Sequence, residues 1–305
     1  MTRRAVLLVA AVLAAVPPAA AQAKTAAPAF DSSRAWEHLR QLVAIGPRPA
    51  GSDALAGARA YIERQLTASG VAFTEQAWDD KTPYGAVRMV NVVATIPGAR
   101  RERLVFSGHY DTKIFRAFRF VGANDGGSSA AFLIELARVL KGRRNPWTIE
   151  ILFLDGEEAA CENWTDCGTP EAPDNTYGSR HYVDAAKRAG TLGDIKANIL
   201  VDMVADRDLR VLREENSTRW LTDAIWDAAQ GLGYARYFAE ASTPIEDDHM
   251  PFLAAGVPSV DLIDLDYAPW HTAGDTLDAV SARSMQIVGD ALLAALPAIE
   301  ARVGR

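Results

Sequence analysis

Amphipathic helical segments alternate with short apolar, β-branched runs along almost the whole chain, and few folds satisfy that rhythm. Apolar residues recur at helical spacing in residues 33–43, 54–68, 128–140, 218–230 and 281–301. Between them, residues 89–95, 104–107, 149–154, 199–204 and 259–263 read as strands. Strands this apolar need cover on both faces, so the expected fold is α/β: a single-domain, three-layer sandwich whose central mixed, mostly parallel sheet is covered by helices on both sides. No repeat or low-complexity linker divides it. With 305 residues, 49% hydrophobic and 23% charged, the chain has the composition of an ordinary globular protein and the length for one large core or two smaller domains, and the unbroken alternation argues for one.

Open α/β sheets bind ligands beyond the carboxyl ends of their strands, so the residues that follow each apolar run matter most. The run 104–107 leads into His109 and Asp111, and the run 149–154 leads into Glu157 and Glu158. The run from 199 leads into Asp202, and the run 259–263 is followed shortly by Trp270 and His271. Asp125 stands among glycines in residues 122–129, directly before a helix, where it can cap the helix, bind a cation, or do both. Any one of these residues alone is more often a hydrogen-bonded strand end than a ligand. His109, Asp125, Glu158, Asp202 and His271 gathered on one rim are harder to explain, because clustered carboxylates repel unless a cation or proton offsets them. Imidazole and carboxylate donors without paired thiolates suit zinc, with one coordination position open for catalysis. Glu157 and Glu158 are adjacent and diverge, so one can bind metal while the other carries protons. Asp111 is placed to orient a neighbouring imidazole. For His249 the default is a structural or capping role beside Asp247, and His181 and His38 also read as structural.

Residues 1–23 read as a cleavable leader: Arg3 and Arg4, an apolar run to Val16, and Ala21-Gln22-Ala23 as the cleavage pattern. Residues 24–305 then form the functional domain, secreted or periplasmic, and loss of the leader takes the formal charge from −7 to −9. This acidity argues against nucleic acid as a partner and against stable association with an anionic membrane. No segment after the leader reads as a membrane span. Export would let Cys161 and Cys167 persist as a local disulfide, the alternative being two unlinked small residues. No phosphate loop or nucleophile elbow appears.

The series GHYDTK (108–113), FVGANDGGSSAA (120–131), LDGEEA (154–159), YGSRH (177–181), IEDDHMPF (245–252) and WHTAGDTLD (270–278) resembles the zinc aminopeptidase superfamily of secreted bacterial leucine aminopeptidases, and within it the glutaminyl-peptide cyclotransferases. The resemblance implies that Asp125, Glu158 and His271 hold a catalytic zinc. It implies that His109 and Asp202 belong to a second metal site in the aminopeptidases, whereas the cyclotransferases bind one zinc. It assigns Glu157 as general acid-base, Asp202 and Asp247 as a hydrogen-bonded pair beside it, and Trp164, Trp270, Tyr267 and Tyr177 as aromatics of the substrate pocket. The implied substrate is a peptide or protein N-terminus. The implied reaction is cyclisation of an N-terminal glutamine to pyroglutamate with loss of ammonia, or, in a di-zinc aminopeptidase, hydrolysis of the first peptide bond.

Overall fold

The structure is a computed structural model that describes residues 29–304; the leader and its cleavage pattern lie outside the described residues. In chain order the helices are α1 (Ser32–Ile45), α2 (Asp53–Ala68), α3 (Gly127–Lys141), α4 (Tyr177–Arg188), α5 (Arg219–Gly231), α6 (His249–Ala254) and α7 (Ala282–Val303). The strands are β1 (Ala72–Thr82), β2 (Gly85–Ile96), β3 (Arg100–His109), β4 (Trp147–Leu154), β5 (Gly168–Thr169), β6 (Ala172–Pro173), β7 (Ile195–Asp202), β8 (Val211–Glu214), β9 (Phe238–Thr243) and β10 (Ser259–Ile263).

Six strands form the central sheet in the order β1-β2-β4-β3-β7-β10. β4, β3, β7 and β10 run parallel, and β1 and β2 join antiparallel at one edge. Side chains alternate between faces along each strand, so neighbours such as Leu104 and Val105 enter different cores. One face carries Leu104, Phe106, Ile149 and Ile151 against α1, α2, α3, α5 and α7. The other carries Val105, Leu152 and Leu154 against Tyr182 and Val183 of α4 and Phe252 of α6. These are the three layers expected of a mixed, mostly parallel sheet.

Two differences from the sequence reading concern length and polarity. β1 was not anticipated: it pairs only with β2, its side chains stay largely exposed, and its polar sequence lacks the apolar signature of the inner strands. α7 does have the length and hydropathy of a membrane span; 61% of its most apolar stretch is buried inside the protein, where it packs as a core helix against α5 and α1.

Candidate metal centre and active site

The four parallel strands end on one side, and the chain turns sharply there. His109 closes β3 and Asp202 closes β7. After β4 the backbone passes through Gly156 to Glu157 and Glu158, whose amide N–H groups both donate to the Asp111 carboxylate at 3.3 Å. Asp111 also lies 3.4 Å from His109 Nδ1, so one buried acid links the ends of two strands. Asp125 is held by Asp275, which accepts from the N–H groups of Asn124 (2.8 Å) and Asp125 (3.1 Å). Gly126 follows at φ 74°, and a Cβ there would stand 2.2 Å from the carbonyl oxygen of Asp111 and 3.0 Å from His109 Cε1. Only glycine lets this turn press against the end of β3. Asp125 does not cap α3: the cap is Gly126, with no side-chain hydrogen bond.

Two clusters result, and they share Asp125. In the first, His271 Nε2 lies 3.3 Å from Asp125 Oδ2 and 3.6 Å from Glu158 Oε1. In the second, His109 Nε2 lies 3.3 Å from Asp125 Oδ1 and 3.1 Å from Asp202 Oδ1. Zinc ligands about 2 Å from a common ion at tetrahedral angles stand about 3.3 Å apart, so the spacing in the first cluster fits. Asp125 Oδ2 and Glu158 Oε1 are buried and meet no hydrogen-bond donor. Buried carboxylate oxygens left in this state carry a desolvation cost that a bound cation would offset. The residues present therefore fit a divalent metal. The second cluster differs because Asp202 Oδ1 is already engaged by Ser129 Oγ (2.9 Å) and the N–H of Met203 (2.8 Å).

The surrounding charge is mostly negative. Burial, with Glu158, Asp247 and Asp248 nearby, pushes Glu157 well above the usual carboxylate range, although His109 opposes the shift. Burial also raises Asp247, aided by Asp202 and Asp248, and raises Asp248 to about 7. For Asp125 burial acts in the same direction, but the imidazoles of His109 and His271 beside it outweigh it and the carboxyl is lowered. Glu157 Oε2 sits 3.5 Å from His109 Nδ1 and away from the His271 cluster, so the two adjacent glutamates diverge.

A cleft of about 220 Å³ opens over these groups, lined by Asp125, Glu157, Glu158, Asp202, Asp247 and His271, with Trp164 and Trp270 among its apolar walls. Trp270 stacks on His271 with ring centroids 4.2 Å apart, while Phe115 and Phe120 meet the same imidazole edge-on. His271 has φ 53° and Met203, beside Asp202, has φ 44°. A non-glycine residue in the left-handed region costs about 1–3 kcal/mol, and such positions cluster where geometry serves a site. Trp164 lies in the seven-residue loop closed by the Cys161–Cys167 disulfide, which the structure contains.

Tyr267 requires correction as a pocket aromatic. It is buried behind the cleft and donates its hydroxyl to Asp275 at 2.8 Å, supporting the turn that carries Asp125. Tyr177 is likewise buried, donating to Asp174. Asp247 does not cap α6 through its side chain; its Oδ1 accepts from the N–H of Asp248, and Oδ2 has no partner. His249 is structural, buried and 3.1 Å from Glu214. His38 bonds the Tyr61 hydroxyl, and His181 stacks on Trp78.

Sequence reasoning missed the supports. Arg48 is fully buried and donates to the carbonyls of Tyr110, Val121 and Gly122, binding together the loops of His109 and Asp125. Lys113 is also buried, donating to the carbonyls of Ala159 and Cys161 with its Nζ 3.8 Å from Glu158 Oε2. A long cationic side chain predicts surface exposure, and nothing in the sequence near either residue signals otherwise.

Residues 91–296 match the model of peptidase family M28. A glutaminyl-peptide cyclotransferase-like protein of Mus musculus is 32% identical over 279 residues, covering 81% of this chain and 70% of that one. The glutaminyl-peptide cyclotransferase of Drosophila melanogaster is 29% identical over 272 residues, covering 80% and 75%. Among solved structures, the glutaminyl cyclase of an Acidobacteriales bacterium superposes with a TM-score of 0.85 at 38% identity, covering 92% of this chain and 99% of that one.

Proposed function

The chain belongs to peptidase family M28, as a glutaminyl-peptide cyclotransferase-like member, and from that premise we propose that it cyclises the N-terminal glutamine of peptides to pyroglutamate with release of ammonia, at a zinc site made by Asp125, Glu158 and His271. The observation that carries this reading is the cleft itself: the buried, unsatisfied oxygens of Asp125 and Glu158 converge with His271 Nε2 at zinc-ligand spacing, directly beside a separate buried carboxyl, Glu157. Zinc bound there supplies a Lewis acid that polarises the side-chain carboxamide of the substrate.

The protein's own groups do the rest. The α-amine of the substrate attacks its own side-chain amide carbon, a C–N bond forms, and the bond to the departing nitrogen breaks. Glu157 takes a proton from the attacking amine and returns it to that nitrogen, so ammonia leaves neutral. A carboxyl raised by burial and by neighbouring acids is suited to this exchange near neutral pH, because it holds a proton more readily than a solvated glutamate. Asp202 and Asp247 stand at the same end of the cleft, where a cationic substrate amine is attracted. Trp164 and Trp270 form apolar walls that displace water, which in this position would hydrolyse rather than cyclise. The disulfide supports an oxidising compartment and hence export.

A second reading, a di-zinc aminopeptidase, is favoured by the His109–Asp125–Asp202 cluster. One experiment separates the two. Full-length protein is incubated with glutamine-initiated and leucine-initiated peptides. Ammonia release with the peptide chain intact supports cyclisation, whereas a free N-terminal amino acid supports the peptidase and refutes cyclisation. Bound zinc, counted by elemental analysis, gives one or two ions respectively.

A further inference from the structure

The cleft continues beyond Trp164. A second groove of about 360 Å³ shares Trp164, Glu246 and Asp247 with it and is lined further by Thr176, Met250 and Arg180. Arg180 is half-buried there and held rigidly. Its Nε donates to the carbonyl of Asn175 at 3.2 Å, its Nη2 donates to the carbonyls of Asn175 and Pro173 at 2.9 Å, and its guanidinium carbon lies 4.7 Å from the centre of the Tyr177 ring. Among the described residues these partners are all carbonyls and a ring; no carboxylate pairs with Arg180, and its Nη1 makes no hydrogen bond.

Between largely apolar walls the two grooves carry opposite charge, acidic at Glu157, Asp202 and Asp247 and cationic at Arg180. A ligand that complements both ends carries an amine at its start and a carboxylate further along. Resting on the cyclisation reading above, we propose that Arg180 is a specificity residue that binds a carboxylate of the substrate downstream of its N-terminal glutamine, supplied by an aspartate or glutamate among the next few residues. A preorganised guanidinium whose Nη1 is unengaged can give a carboxylate a charge-assisted hydrogen bond, and its fixed position removes most of the ordering cost of the contact. Glu246 at the junction repels such a carboxylate and so favours its placement at the Arg180 end. The C-terminal carboxylate of a very short peptide offers the same chemistry.

The test uses the zinc-loaded full chain and the amidated tripeptides Gln-Glu-Ala, Gln-Gln-Ala and Gln-Lys-Ala, with Gln-Ala as free acid and as amide to separate the terminal carboxylate from a side-chain one. We expect kcat/KM to fall in the order Glu, Gln, Lys, with about a five- to tenfold step from Glu to Gln carried by KM, as for one charge-assisted hydrogen bond. Raising salt to about 0.5 M shrinks the step, because a half-exposed pair is screened. Arg180→Met brings the Glu-to-Gln ratio close to one and leaves kcat for Gln-Gln-Ala within about twofold, and Arg180→Lys restores part of the preference. A ratio at or below one in the unaltered protein, or an unchanged ratio in folded Arg180→Met, overturns the proposal. Should Arg180→Met not fold, the peptide series and its salt dependence decide. If no glutamine peptide releases ammonia, the cyclisation reading has failed, and calorimetric binding of the same peptides, which needs no turnover, still decides for Arg180.

Discussion

Replacing Glu157 by glutamine separates proton transfer from metal binding, because the two functions are proposed for adjacent residues. The side chain is 7% exposed and the backbone N–H is held by Asp111, so an isosteric amide fits the same space. What changes is the capacity to carry a proton. A positioned general acid-base contributes about 10²–10⁴ in rate, or about 3–5 kcal/mol of barrier, and kcat for ammonia release from a glutamine peptide should fall by that factor. Stability should not fall with it. The nearest opposite charge is His109 at 3.5 Å, while Glu158, Asp247 and Asp248 all repel an ionised Glu157, and removing one buried charge from a group of like charges relieves repulsion. Zinc should stay bound, since Asp125, Glu158 and His271 are untouched. The assays are ammonia release, zinc content and thermal unfolding on the same preparation. A loss of activity smaller than about tenfold would refute Glu157 as the proton carrier, and loss of zinc would show that the roles of Glu157 and Glu158 had been exchanged.

Removing zinc with a chelator should abolish turnover and lower the unfolding temperature, and free zinc at about a thousandfold its Kd should restore about 4 kcal/mol of stability; Asp125→Asn should lose that response, and a zinc-independent unfolding temperature would count against the site. Converting both Cys161 and Cys167 to serine should raise KM several-fold with kcat within about twofold, because Trp164 loses its tether, and should cost about 2 kcal/mol for a loop of this length; an unchanged KM removes Trp164 from the substrate wall. Asp264 is fully buried, and burial lifts its pKa from 3.8 to about 6. The folded state then binds the proton more tightly than the unfolded one, so this group destabilises the protein at pH 8 and the penalty fades as pH falls through 6 towards 4. Asp264→Asn should therefore stabilise by about 2–3 kcal/mol at pH 8 and by little at pH 4, measured by denaturant unfolding; an equal effect at both pH values would refute that account.

The inner strands were legible in the sequence because both of their faces are buried, which forces continuous apolar runs. β10 was read with its observed bounds, and all five of its residues are buried. The reading of β7 overran by two residues because Met203 and Val204 are as apolar as the strand, yet the chain has already turned at Met203, φ 44°. α4 escaped notice because only a narrow stripe of it, including Tyr182, Val183 and Ala186, faces the sheet. The same contrast governs the cleft. An acid or histidine at the end of an apolar strand has no packing reason to be there, so His109, Glu157, Glu158 and Asp202 announced themselves. Arg48 and Lys113 did not, since each spends its hydrogen bonds on main-chain carbonyls. Every residue of any type has a carbonyl, so such a partner leaves no trace in the sequence. Tyr267 was placed in the pocket by the family resemblance alone, which does not say that its hydroxyl turns inward to Asp275. Groups aimed at a ligand are therefore read from residue type and strand position, whereas those that aim them become visible only when distant carbonyls are brought together by the fold.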